Sequence, residues 1–109
     1  MLGDNIRKLR TLNNLTLQEL SKLSGVGVST ISEIEVGKIL NPRTTTLNKI
    51  AKALDVDINF LLGKDANANK MFEGLDDPEI LETLSLYLRL DEEHQKIIDN
   101  LIKSLLDDK

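Results

Sequence analysis

Along the first sixty residues the apolar positions recur three and four apart, the spacing of one face of a helix. Ile6 and Leu9 begin such a stripe and predict a helix from about Asp4 to Asn13, ended by the Asn13-Asn14 pair. Thr16-Leu17-Gln18-Glu19 reads as a capping box, in which the threonine hydroxyl takes the N3 amide and the glutamate reaches back. Leu15 and Leu20 stand at the positions of a hydrophobic staple around it. That helix ends near Ser24-Gly25, and a third runs from after Gly27 to about Val36, stopped by Gly37. Ile31 and Ile34, three apart, mark its inner face. Only Val26 and Gly27 remain between the Gly25 stop and the third helix, so the two short helices must cross steeply, as in a helix-turn-helix.

Farther along, Lys38 to Arg43 reads as a loop, because Pro42 holds Asn41 extended. Leu47, Ile50, Ala51 and Leu54 share one face of a fourth helix from about Thr44 to Leu54. Asp57 caps a helix of one or two turns ending at Leu62-Gly63, with Val56 and Leu61 as a second staple. The small polar run from Lys64 to Lys70 reads as a linker or loop. Asp76-Asp77-Pro78 then opens a helix to about Arg89, and Asp91-Glu92-Glu93 opens a last one. The expected fold is all-α. A five-helix unit spans 1–63, a linker 64–74, and an antiparallel two-helix hairpin 75–109.

The hairpin has more apolar positions than one face can use: Ile80, Leu81, Leu84, Leu86, Tyr87, Leu88 and Leu90, then Ile97, Ile98, Leu101, Ile102, Leu105 and Leu106. Two helices of that length cannot bury enough surface alone. Pairing with a second copy in a four-helix arrangement would cover them, through Leu84, Tyr87, Leu88, Ile97, Ile98, Leu101, Ile102 and Leu105.

Charge changes the picture. The net −4 of the 109 residues hides an asymmetry. Residues 1–64 hold nine Lys/Arg against six Asp/Glu, net +3, and residues 65–109 hold five against twelve, net −7. A basic unit followed by an acidic one suits an anionic partner for the first and a protein partner for the second. Cysteine is absent, which excludes disulfides, thiolate metal sites and thiol catalysis. No apolar run nears the roughly 18 residues of a membrane span, and the first residues are no secretory signal, so a cytoplasmic location is the default expectation.

Nothing in the chain suggests an enzyme. His94 is the single histidine and adjoins Glu92 and Glu93, but neighbours on a helix do not converge on one point, so it reads as a first-turn residue rather than a metal ligand. Gly25-Val26-Gly27 lacks the third glycine of a dinucleotide fingerprint, and no strand precedes it. No cofactor is expected.

Taken together, Thr16 to Lys38 resembles the phage repressor/Cro-type (XRE) helix-turn-helix family. The resemblance extends from about Ile6 to Gly63, through Asn41-Pro42, the Leu47, Ile50-Ala51, Leu54 helix and Phe60-Leu61-Leu62-Gly63. The acidic hairpin resembles, more weakly, the arrangement in SinR-like repressors. The family resemblance implies that the third helix lies in the major groove of double-stranded DNA, with Gly27, Val28, Ser29, Ser32 and Glu33 towards the bases. Arginine, lysine, asparagine and glutamine are missing from that face, and Leu17 stands where many relatives have a phosphate-binding glutamine. It also implies phosphate contacts at Thr16, Lys38, Asn41, Arg43 and Thr44, beside helix N-termini. Arg10 and Glu35 occupy the positions of a structural ion pair between helices one and three. Gly25 is expected to be left-handed.

The function this implies is a sequence-specific transcriptional regulator, a repressor on a palindromic operator as a homodimer. The SinR-like likeness adds a regulatory protein, an antirepressor with a similar hairpin, as a partner for the dimer surface. Two alternatives stay open on the residues: an antitoxin that autoregulates its operon, and a protein-interaction module on a helix-turn-helix scaffold.

Overall fold

Among the described residues, 2–64 and 66–107, the computed structural model contains eight helices and no strand. They are α1 (Leu2–Leu12), α2 (Leu17–Ser24), α3 (Val28–Glu35), α4 (Thr44–Ala53), α5 (Ile58–Leu61), α6 (Ala66–Gly74), α7 (Pro78–Leu88) and α8 (Glu92–Asp107). The first five fall within a residue or two of the expected bounds. The all-α expectation is met.

The stripes read from the sequence meet in one core. Ile6, Leu20, Ile31, Ile34, Ile50 and Leu61 are fully buried, and Leu9, Val26, Leu47, Ala51 and Leu54 join them. The caps form as their chemistry requires. Thr16 Oγ1 accepts from Glu19 N at 3.1 Å, and the Glu19 carboxylate accepts from Thr16 N at 3.0 Å. Hydrogen bonding of the carboxylate to the Thr16 backbone, and then to the Thr16 side chain, holds the Glu19 carboxyl below its ordinary range. Asp57 and Asp77 cap α5 and α7, accepting from Asn59 N at 2.7 Å and Glu79 N at 2.9 Å. Gly25 ends α2 at φ 75°, left-handed as expected, with open space where a β-carbon would stand.

The segment expected as a linker over 64–74 is largely helical. Within α6, Ala68 and Phe72 are buried in the same core as Ile6 and Leu61, and the Phe72 ring lies 5.5 Å from that of Phe60. Ala68, Met71, Phe72 and Leu75 keep helical spacing. Asn67, Asn69 and Lys70, whose polarity suggested a loop, form the exposed side. The core therefore continues past Gly63, and α7 lies against α1 with Ser85 buried and its hydroxyl donating to Thr11 O at 3.2 Å. The first helix of the expected hairpin, α7, is thus not held apart from the first five helices.

Beyond α7 the chain reverses. Tyr87 Oη donates to Asp99 Oδ1 at 2.6 Å across the turn, and Gln95 Nε2 donates to the Tyr87 and Leu90 carbonyls. No residue of α8 is buried. Leu84, Leu86 and Leu88 on α7, and Ile97, Leu101, Ile102, Leu105 and Leu106 on α8, remain exposed. His94 sits in the first turn of α8, its backbone N–H and ring nitrogen both bonded to Asp91, which keeps that carboxyl below its ordinary range.

Candidate nucleic-acid interface

The orientation of α3 follows from what it buries. Ile31 and Ile34 lie in the core, so Ser29 and Glu33 face solvent while Val28 and Ser32 stand half-buried at the edge of the same face. The helix starts at Gly27 without a side-chain cap and with no acid in its first turn, which leaves the positive end of its dipole open. The turn before it is closed locally. Ser21 Oγ donates to Val26 O at 2.6 Å, and Ser24 Oγ accepts from Val26 N at 3.1 Å.

The last turn of α3 is held from behind. The Arg10 guanidinium donates Nε and Nη2 to the two Glu35 carboxylate oxygens, at 2.8 and 3.0 Å, and Nη1 to Leu15 O at 2.9 Å. The Arg10 and Glu35 side chains are 17% and 7% exposed, which makes this a largely buried bidentate pair. The pair ties α1 directly to α3. Gly3 brings α1 close to the same turn: a β-carbon there would fall 2.4 Å from Ile34 O and 2.7 Å from Glu35 O. Close approach of this kind leaves no mark in a single sequence beyond the glycine itself.

Around α3 stand the other expected positions. Lys38 and Ile39 donate their N–H groups to Glu33 O, at 2.8 and 3.1 Å, so the following loop folds back over the C-terminus of α3. Lys38, Asn41, Arg43 and Thr44 are all exposed. Arg43 is the N-cap of α4 and makes no side-chain cap bond, so the first amides of that helix are uncapped by side chains. Thr16 differs. Its capping box already engages Thr16 N and Glu19 N and sets a carboxylate at the helix start. Only the Leu17 and Gln18 amides are then placed for an anion at α2, beside a like-charged neighbour.

Residues 6–61, just over half of the chain, match the helix-turn-helix protein-family model. The chain belongs to the helix-turn-helix family. A helix-turn-helix transcriptional repressor, RghR of Bacillus subtilis, is 35% identical over 71 residues, 65% of this chain and 53% of the relative. The regulator SinR of the same organism is 36% identical over 62 residues, 57% of this chain and 56% of the relative. The control protein C.SmaI of Serratia marcescens is 33% identical over 70 residues, 64% of this chain and 82% of the relative. The chain spans about half the length of the first of the curated relatives it matches. No solved structure matches it. The resemblance drawn from Thr16 to Lys38 is thereby met.

The sequence reading passed over three polar residues on one side of the helix-turn-helix unit. Asn5 Nδ2 donates to Leu61 O at 3.0 Å and Lys8 Nζ to Phe72 O at 3.0 Å, and Lys8 also pairs with Asp76. Ser85 is the third. Asn5 and Lys8 are buried although polar, and hydrophobic periodicity assigns such positions to the solvent face. Among the described residues no cluster of His, Asp or Glu is arranged to hold a metal, and no helix is long and apolar enough to cross a membrane.

Proposed function

We propose that this helix-turn-helix protein is a DNA-binding regulator of transcription, a repressor that occupies a palindromic operator as a homodimer. The observation that carries it is the presentation of α3. Two core isoleucines and a buried ion pair fix the helix, while Val28, Ser29, Ser32 and Glu33 face outward beside an uncapped helix N-terminus. In the major groove those side chains reach base edges: Val28 a thymine methyl, the serines a base edge or phosphate, Glu33 the amino group of cytosine. Lys38, Asn41, Arg43 and the amide end at Thr44 take phosphates, as does the start of α2 at Thr16, there more weakly because of Glu19. The names of RghR, SinR and C.SmaI are those of regulators or control proteins and support the same reading.

Dimerisation falls to the apolar faces of α7 and α8. Leu84, Leu88, Ile97, Leu101, Ile102 and Leu105 are exposed in the single chain, with Tyr87 and Ile98 half-buried beside them. A two-fold contact between copies covers them and matches the two-fold symmetry of a palindrome. A regulatory protein with a similar hairpin would compete for the same surface.

Selection of bound duplexes from a random pool at stated salt tests the reading. The expected outcome is an inverted repeat, bound with a steep salt dependence. Arg43→Ala or Lys38→Ala should lower the salt slope by about one unit each and weaken specific and random DNA alike. Recovery of no DNA, or binding insensitive to salt, would overturn it.

A further inference from the structure

We propose that α1 is a splint that fixes the C-terminal arm at a set distance and angle from α3, so that the dimer accepts two half-sites at one separation only, with Lys8 as the positioning residue. The proposal rests on the dimeric DNA-binding reading above. Its geometric part stands on contacts within one chain.

The two sides of α1 hold different things. On one side Gly3 and Arg10 grip the last turn of α3. On the other, Asn5, Lys8 and Thr11, spaced three apart, hold in turn the end of α5, the end of α6 and the flank of α7. Lys8 is the demanding member. It is only 8% exposed, and a buried ammonium needs acceptors for its donors. It finds them in Phe72 O, near the negative end of α6, and in the Asp76 carboxylate just beyond that helix. Pairing with Lys8 holds the Asp76 carboxyl below its ordinary range. Swinging α6 and α7 away would break both of these Lys8 bonds and expose Phe72 to water. A flexible polar tether between reading head and dimer surface would allow that swing, but here the tether is α6, packed into the core.

The consequence falls on the DNA. Each added base pair moves the second half-site by about 3.4 Å and turns it by roughly 35°. A dimer whose arms pivot follows such a change, and one whose arms are splinted loses the contacts of one half-site.

The chain has no cysteine, so spin labels can be placed at will. Nitroxides at Lys49→Cys and Glu82→Cys, in labelled protein diluted with unlabelled, report the distance between α4 and α7 by pulsed electron paramagnetic resonance. The full-length protein should give one narrow distance, and Lys8→Met a broad distribution. In parallel, affinity is measured for inverted repeats of the selected half-site with the spacer stepped one base pair at a time. The unsubstituted chain should lose at least about tenfold one base pair off its optimum, and Lys8→Met about threefold or less. Affinity for an isolated half-site should be the same for both, which a loss of fold would not allow. If Lys8→Met does not fold, Ser85→Ala combined with Asp76→Asn takes its place. A broad distance distribution in the unsubstituted chain, a flat spacing profile, or a variant as strict as the original overturns the proposal. Absence of any DNA binding refutes the regulatory reading instead, and the distance measurement still decides the splint.

Discussion

The helix α4 and the helix α8 are both amphipathic, and they end differently. In α4, Leu47, Ile50 and Ala51 are buried against the rest of the helix-turn-helix unit. In α8, Ile97, Leu101, Ile102, Leu105 and Leu106 stay exposed, more than half so at each position. The same pattern therefore has two meanings. In α4 it specifies a place in the chain's own core. In α8 it leaves an apolar stripe of nearly three turns open to water, the surface that the proposed dimer would cover. The chain thus holds a helix-turn-helix head with a buried core, to which α6 contributes, and an arm whose apolar face is open.

Removing what joins them should have the largest effect. Truncation after Gly63 deletes Phe72 and Ala68 from the core and leaves Lys8 without its partners. The shortened chain should be unfolded or molten by near-UV circular dichroism and hydrogen exchange. Phe72→Ala alone should cost about 3–5 kcal/mol in chemical denaturation. A stable, fully cooperative 1–63 fragment would mean that the head is independent of α6 after all.

Within the head, Arg10→Ala leaves the Glu35 carboxylate buried and unpaired, for a loss of roughly 3–5 kcal/mol, and replacing both by apolar residues should cost much less. A double-mutant cycle read by urea melting measures the coupling. For the arm the expectation is reversed. Leu101→Lys with Leu105→Lys should abolish self-association by sedimentation while changing the stability of the separated chain within about 0.5 kcal/mol, because those side chains are already more than half exposed at home.

The smallest effect is a difference in pH response. Glu19 and Asp76 have folded values below their ordinary ones, so the stability they add is complete at neutral pH and lost as pH falls through those lowered values. Both serve the head and its junction. In the arm, the bond to Asp99 raises the Tyr87 hydroxyl above its ordinary value, so its contribution is complete below that ordinary value and lost as pH rises past the folded one. Glu19→Gln should lower the melting temperature at neutral pH and show a smaller fall on acidification, and Tyr87→Phe should speed amide exchange in α8 at neutral pH and show a smaller change as the hydroxyl ionises.

Much of this was legible in the chain. Capping boxes and staples act over four or five residues, so Thr16-Glu19 and Asp57 identify their helices without knowledge of the rest. The turn at Gly25 and the inward pair Ile31 and Ile34 followed from spacing alone, and the Arg10–Glu35 pair from family resemblance. The failure at α6 has a physical cause. Its first half, Ala66 to Lys70, holds only small or polar residues, and local polarity says nothing of a Phe60 ring waiting twelve residues away from Phe72. Asn5 and Lys8 were missed for a related reason. Their partners are carbonyls at Leu61 and Phe72, and a backbone acceptor carries no sequence signal.

Two glycines described above differ in what they would refuse. At Gly25 the backbone is left-handed and the space beside it empty, so the objection to an ordinary side chain is one of handedness. A synthetic chain with D-alanine there should fold at least as well as the original, since the mirror-image residue favours that conformation and has fewer unfolded states to lose. At Gly3 the objection is room, because the carbonyls of Ile34 and Glu35 occupy the place a methyl would take. L-alanine there would have to push the first turn of α1 off the end of α3, and with it the guanidinium fork that holds the last turn of that helix.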